Sequence, residues 1–356
     1  MASSADHKNM PFSGLVALSR VAAACLLVLA CLAAAPAAIA QTATLKSAAA
    51  AKGRYFGAAL DPAYLAVPTY RDLAIRQLSS ITPENAMKWA VVEPSRGNFN
   101  WSGADRLVAL ARTNQMRVRG HNLVWHSQLP SWLTHGGFSA AELKTIMVDH
   151  IRTEAARYKG AIYAWDVVNE PFDDNGGWRD RLWRQAMGAS YIATALDAAR
   201  AADPAAKLYI NEYNVETAGP KFAALYALAG SLKHSGAPID GVGLQAHFVA
   251  GHVPSDLQAV IAKFAALGVD VAITELDIRI PLPASAEKLA QQASDYGAVV
   301  GACVAVARCV GITTWGMTDG HSWIPSFFPG YGAALLFDED NKPKPAYAAA
   351  IRALAR

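Results

Sequence analysis

Metal-ligand spacing is missing from this sequence. Its nine histidines include no H-x-H or H-E-x-x-H pair, so a hydrolase built on clustered imidazole ligands is not expected. A glycine-rich phosphate loop is missing too. The first strand-like run, Tyr55 to Leu60, leads into Asp61-Pro62-Ala63-Tyr64, where a nucleotide-binding open sheet would place its glycines. Neither sign of charge dominates: the formal charge is +3 for the chain, and near +2 once Lys8, Arg20 and Asp6 of the first forty residues are set aside. Composition therefore gives no electrostatic case for nucleic acid or an anionic membrane as partner. Cysteine is scarce. Cys25 and Cys31 lie near the N-terminus, which leaves Cys303 and Cys309. Six positions apart, these two read either as a disulfide or as a pair of buried thiols.

The longest apolar stretch near the start, Val21 to Leu32, falls short of the roughly 20 residues that a spanning helix requires, and no later segment reaches that length without charge. No membrane span is expected. The weakly positive start, the apolar stretch and then Ala38-Ile39-Ala40 have the order of a secretory signal peptide cleaved near Ala40. Residues 1–40 are thus expected to be the signal, and 41–356 a protein secreted to the periplasm or medium. A second reading takes Val28-Leu29-Ala30-Cys31 as a lipoprotein box with Cys31 acylated.

Past residue 40, short β-type runs alternate with longer helical patterns. Eight strand candidates can be marked: Tyr55 to Leu60, Ser80 to Pro83, Val118 to Val124, Tyr163 to Glu170, Leu208 to Tyr213, Val242 to His247, Val271 to Asp277 and Ile312 to Gly316. Between them, Ala104–Thr113, Ser139–Tyr158, Arg181–Ala202, Phe222–Lys233, Ser255–Leu267 and Ser285–Val306 carry apolar residues at helical spacing. Ser139 with Glu142 and Ser255 with Gln258 have capping-box spacing, and Gly268 stands where a helix stop belongs. Eight such units with no Pro/Gly/Ser-rich linker predict one closed (β/α)8 barrel rather than an open sheet.

Two glutamates close apolar runs: Glu170 in Ala164-Trp165-Asp166-Val167-Val168-Asn169-Glu170-Pro171, and Glu275 inside Val271-Ala272-Ile273-Thr274-Glu275-Leu276-Asp277-Ile278. In a barrel these are strands four and seven, whose C-terminal ends face one another across the mouth. An unpaired carboxylate in a buried strand is costly, which argues against two solvated surface charges. A pair of carboxylates about 5 Å apart can cleave an acetal with retention, one as acid/base and one as nucleophile. Glu170 is the expected acid/base and Glu275, among apolar strand neighbours, the expected nucleophile. The other strand ends are rich in amides, imidazoles and indoles, which suit a neutral, hydroxyl-rich ligand. Trp101, Trp165 and Trp183 read as packing residues, and His126 as either a core or a site histidine.

On the Glu84-Asn85-Ala86-Met87-Lys88-Trp89, His121-Asn122-Leu123-Val124-Trp125-His126-Ser127-Gln128, Asn169-Glu170-Pro171, Gln245-Ala246-His247 and Thr274-Glu275-Leu276-Asp277 segments, the chain resembles glycoside hydrolase family 10 from about Tyr55 to Tyr347. That family's members are retaining endo-1,4-β-xylanases on (β/α)8 barrels. The resemblance implies Glu170 as acid/base, Glu275 as nucleophile, His247 bonded to the nucleophile with Asp277 behind it, and Asn169 on the 2-hydroxyl. It implies glycone-side contacts from Glu84, Asn85, Lys88, His121, Trp125, Gln128, Gln245, Trp315 and Trp323, an aglycone contact from Tyr213, and a Cys303–Cys309 disulfide. Strand five departs from the usual pattern in having Glu212 where many members have Asp. The expected partner is xylan or xylo-oligosaccharide, acted on by a monomer without cofactor. The rivals are a β-1,4-glucanase and a non-catalytic xylan-binding barrel.

Overall fold

The computed structural model describes residues 43–356; the expected signal segment and Cys31 lie outside them. Eight strands form the frame: β1 (Tyr55–Leu60), β2 (Ser80–Pro83), β3 (Arg117–Val124), β4 (Ala164–Asn169), β5 (Lys207–Glu212), β6 (Gly241–Leu244), β7 (Asp270–Pro281) and β8 (Cys309–Thr314). Each pairs in parallel with the next, and β8 pairs in parallel with β1 through Tyr55↔Gly311 to Ala58↔Thr314, which closes the barrel. Helices follow the strands around it, so both strand faces are covered and the strand residues are almost all buried.

Inside the barrel lie unusually large side chains. Arg119 and Tyr209 are almost fully buried there, the Arg119 guanidinium standing 4.3 Å from the Tyr209 ring centroid while pairing with Asp166; Trp165, on the opposite face of β4, is buried against the surrounding helices. Gly120 makes the room: it is the register partner of Trp165, and any Cβ there would collide with the indole.

Three local expectations are corrected. The Arg181–Ala202 pattern is two helices, Leu182–Met187 and Ser190–Ala202, because Gly188 takes φ 62° and ψ −159° and ends the first. Ser255 does not cap Leu257–Ala266. Asp256 occupies the N-cap position without a side-chain capping bond, its carboxylate accepting instead from the Thr217 hydroxyl and the Ala218 amide. Strand β7 does not stop at Asp277: beyond β6 its residues Asp277–Arg279 pair with the short strand His247–Val249, and Ile280–Pro281 with Tyr331–Gly332. The Ser139–Glu142 capping box is present, and Gly268 follows its helix at φ 78°.

Cys303 and Cys309 form a disulfide joining the helix Ala286–Val304 to the start of β8. Among the described residues no helix is long and apolar enough to cross a membrane.

Candidate active site

The strand ends leave the barrel through unusual backbone. Gln128, Glu170, Asn214 and Ala246, which follow β3, β4, β5 and β6, all have φ between 48° and 64°. Non-glycine residues in this region carry a steric cost, and such residues cluster where side chains must be aimed. Here they turn the chain sharply at the mouth, so that each strand's last side chains face a common cleft of about 630 Å³.

Both glutamates line that cleft. Glu275 accepts from Asn211 Nδ2 at 2.6 Å and lies 3.2 Å from His247 Nε2. His247 Nδ1 is 2.9 Å from Asp277, whose same oxygen also accepts from the Trp323 indole at 2.8 Å. His121 Nδ1 lies 3.0 Å from Asp166 and 4.0 Å from Glu275. Burial pushes the Glu275 carboxyl up, but the His247 hydrogen bond and the fields of His121 and His247 outweigh it and hold the group below the usual carboxylate range. Burial would lower the His247 imidazole; Asp277 and Glu275 instead raise it to about 10, so at neutral pH it is a cation donating from both nitrogens.

Glu170 has a different set of neighbours. Trp125 Nε1 donates to it at 3.0 Å, Gln245 Nε2 at 3.1 Å and Asn169 Nδ2 at 3.3 Å. These are neutral donors. The two carboxylates are connected through amides, since Asn211 Nδ2 also reaches Asn169 Oδ1 at 2.9 Å, and Gln245 Nε2 approaches the same oxygen at 3.4 Å. Asn169 and Asn211 are register partners on β4 and β5, which is why their side chains meet.

Lys88, His121, Trp125, Gln128, Tyr213, Gln245, Trp315 and Trp323 line the same cleft. Lys88 is buried, donates to Asn85 at 2.9 Å, and lies 5.2 Å and 5.8 Å from the Trp125 and Trp315 ring centroids. Burial lowers its pKa against the opposing pull of Glu275 and Glu84. Asn85 and Glu84 adjoin Lys88, and burial lifts the Glu84 carboxyl to about 7. Asp277 is buried behind His247. Tyr213 is fixed by Arg179, which donates to its hydroxyl at 2.9 Å, and by Lys221 Nζ at 3.1 Å from its ring centroid.

A model of glycosyl hydrolase family 10 matches residues 44–353. The chain belongs to glycosyl hydrolase family 10. It is 50% identical over 310 residues to endo-1,4-beta-xylanase A of Phanerodontia chrysosporium, covering 86% of this chain and 76% of that relative. Among solved structures, a glycosylated family 10 endo-beta-1,4-xylanase from Gloeophyllum trabeum superposes with TM-score 0.84 at 47% identity, covering 88% of this chain and 99% of the other. Native xylanase 10B from Thermotoga maritima gives TM-score 0.86 at 38% identity, covering 88% and 98%.

Several residues of this family 10 site were given no specific role, or an open one, by sequence reasoning. Asn211, the amide between Asn169 and Glu275, is a strand-end residue whose inward direction only register reveals. Arg179, in the loop after β4, donates to the backbone carbonyls of Glu170 and Phe172 at 3.2 and 2.7 Å. Its signal was weak, since arginines in loops are usually solvated. Trp183, read as packing, is buried but donates to the Trp125 carbonyl at 2.8 Å, and Trp165 and Trp101 do pack. His126 stands at the site: Nε2 is 4.0 Å from Glu170, and burial with the nearby Arg179, Arg181 and Lys221 pushes its pKa down to about 4. Glu212 is fully buried, takes the Phe172 and Tyr213 amides at 3.1 and 3.0 Å, and pairs with Lys221 at 3.0 Å.

Proposed function

We propose that the chain is a secreted endo-1,4-β-xylanase that cleaves internal bonds of the xylan backbone with retention. Glu275 attacks the anomeric carbon while protonated Glu170 gives its proton to the leaving sugar oxygen; Glu170 then takes a proton from water, which hydrolyses the glycosyl-enzyme. The observation that carries the assignment is the contrast in partners: a cationic imidazole at Glu275 and only neutral N–H donors at Glu170. A nucleophile is needed ionised, and an acid/base must cycle between both forms, which a cation hydrogen-bonded to its carboxylate would oppose; Arg179 bonds the Glu170 main chain instead.

Asp277 and His247 are assigned as positioning groups for Glu275, and Asn169 as the contact to the 2-hydroxyl of the sugar at the reacting centre. Lys88, His121, Trp125, Gln128, Gln245, Trp315 and Trp323 take the glycone side, with Glu84 and Asn85 supporting Lys88, and Tyr213 the aglycone side. Indole faces and paired amide and ammonium donors suit pyranose rings with equatorial hydroxyls. The xylanase names of relatives covering most of this chain support xylan as substrate. No cofactor is required by these steps, and a monomer suffices. The signal-like segment ending near Ala40 supports export, which the mature N-terminus by mass spectrometry would check.

The substrate assignment is tested by kcat/KM on an aryl xylobioside and the matching cellobioside. A clear preference for the xylose substrate is expected if Lys88, Gln128 and Trp323, which line the cleft, crowd a hydroxymethyl group. Preference for the cellobioside would make the chain a glucanase.

A further inference from the structure

Besides His247, the cations Lys88, Arg179 and Arg279 line the cleft, and they differ in how their donors are used. Lys88 donates to Asn85. Arg179 donates to the carbonyls of Glu170 and Phe172 and to the Tyr213 hydroxyl. Arg279 makes no side-chain hydrogen bond or ion pair among the described residues, and its Nε is buried without a partner. Buried guanidinium N–H groups are rarely left so. What holds Arg279 is aromatic: its Cζ lies 4.0 Å from the Phe328 ring centroid and 5.6 Å from that of Tyr331. Such stacking fixes the plane of the fork while leaving its edges free.

Arg279 lies on the same strand as Glu275 and Asp277, with side chains at alternate positions on one side. Four residues of strand set its Cα about 13 Å from that of Glu275, farther than one pyranose ring spans. Beside it, Phe327 lines the cleft while 66% exposed, with its ring centroid 5.0 Å from Trp323 and 4.9 Å from Phe328. An exposed aromatic platform next to an unused guanidinium suits a sugar that also carries an anion, and a planar carboxylate matches the fork.

We propose that Arg279, with Phe327 and Trp323, forms a binding site for a carboxylate carried on the polysaccharide, as a uronic acid branch, at a sugar remote from the bond that is cleaved. The inference rests on the xylan reading above. It makes Arg279 a specificity-determining residue: the enzyme favours acidic branches placed at this end of the cleft and gains nothing there on the linear chain.

The test uses xylo-oligosaccharides that are linear, branched with one uronic acid at successive positions, or branched with the same sugar after reduction of its carboxyl to an alcohol. For at least one branch position the acid form is expected to show kcat/KM about fivefold above its reduced counterpart, as a partly exposed charge pair allows. Arg279→Met should remove that advantage while keeping kcat/KM on the linear substrate within about twofold, and Arg279→Lys should retain part of it. Equal rates on acid and reduced forms at every position in the wild-type enzyme would overturn the proposal, and so would an equal loss on all substrates in Arg279→Met, which would mark Arg279 as packing for Phe328. If Arg279→Met does not fold, the wild-type comparison still decides. Cleavage of linear xylo-oligosaccharides without any carboxylate effect removes this inference alone; failure on the linear substrate removes the xylan reading.

Discussion

The two sides of the cleft hold their carboxylates by different physics. On the β7 side Glu275 stands in an ionic chain, His247 and Asp277 on one flank and His121, Asp166 and Arg119 on the other. On the β4 side Glu170 meets an indole and two amides. Fixed charges stabilise one protonation state, whereas neutral donors orient a carboxyl without committing it. Two glutamates of the same chemistry are thereby given separate tasks by their neighbours, a pattern known from other acid and base pairs.

The most severe way to break this contrast is to remove the ionised partner. Glu275→Ala should lower kcat on xylan by on the order of 10⁵-fold or more, as loss of a nucleophile does; near-normal hydrolysis would reverse the assignment. Glu170→Ala should cost about 10²–10⁴-fold on xylan, the usual worth of general acid–base catalysis. It should cost far less in the first step on an aryl xylobioside whose phenol leaves without a proton, so a burst of phenol is expected. Equal losses on both substrates would show that Glu170 is not the proton donor.

The smallest change concerns the ionic side alone. His247 binds its proton more tightly when folded, so its pairing with Asp277 and Glu275 is fully present below about pH 6.5 and is lost as pH rises through about 10. Glu275 has the opposite sign, contributing above its ordinary value near 4.5 and losing that contribution as pH falls through its depressed value. His247→Gln should therefore destabilise by about 3 kcal/mol near pH 6, as breaking a buried charge pair does, and the gap in Tm from wild type should narrow toward pH 10. A gap unchanged from pH 6 to 10 would mean that His247 acts by packing alone.

Much of the frame was legible because its signals are local. Strands β1 and β2 fall on the runs Tyr55–Leu60 and Ser80–Pro83, and the Ser139–Glu142 cap needs only three residues of spacing. One error is local, the helix break at Gly188; the others arise where long-range partners overrode local pattern. Asp256 is drawn away from capping by Thr217 and Ala218, and β7 is prolonged by two short strands that reach it from elsewhere in the chain. Within the site, the expected cleft residues came together because strand ends in a closed barrel share one face. One exception is instructive: Asp277 is buried behind His247, which it supports. Arg119, read as nothing by sequence, lies inside the barrel because Asp166 and the Tyr209 ring receive its charge.

By itself, then, the sequence determined the eight barrel strands and their order, the barrel class, and which two glutamates stand at the mouth on strands four and seven, since each follows from periodicity and from the cost of an unpaired carboxylate in a buried run. Only the tertiary structure decided how those glutamates differ. Protonation depends on which groups lie within a few ångströms, and Asn211, His247 and Asp277 reach Glu275, while Trp125 and Gln245 reach Glu170, through strand register and barrel closure rather than through nearness along the chain.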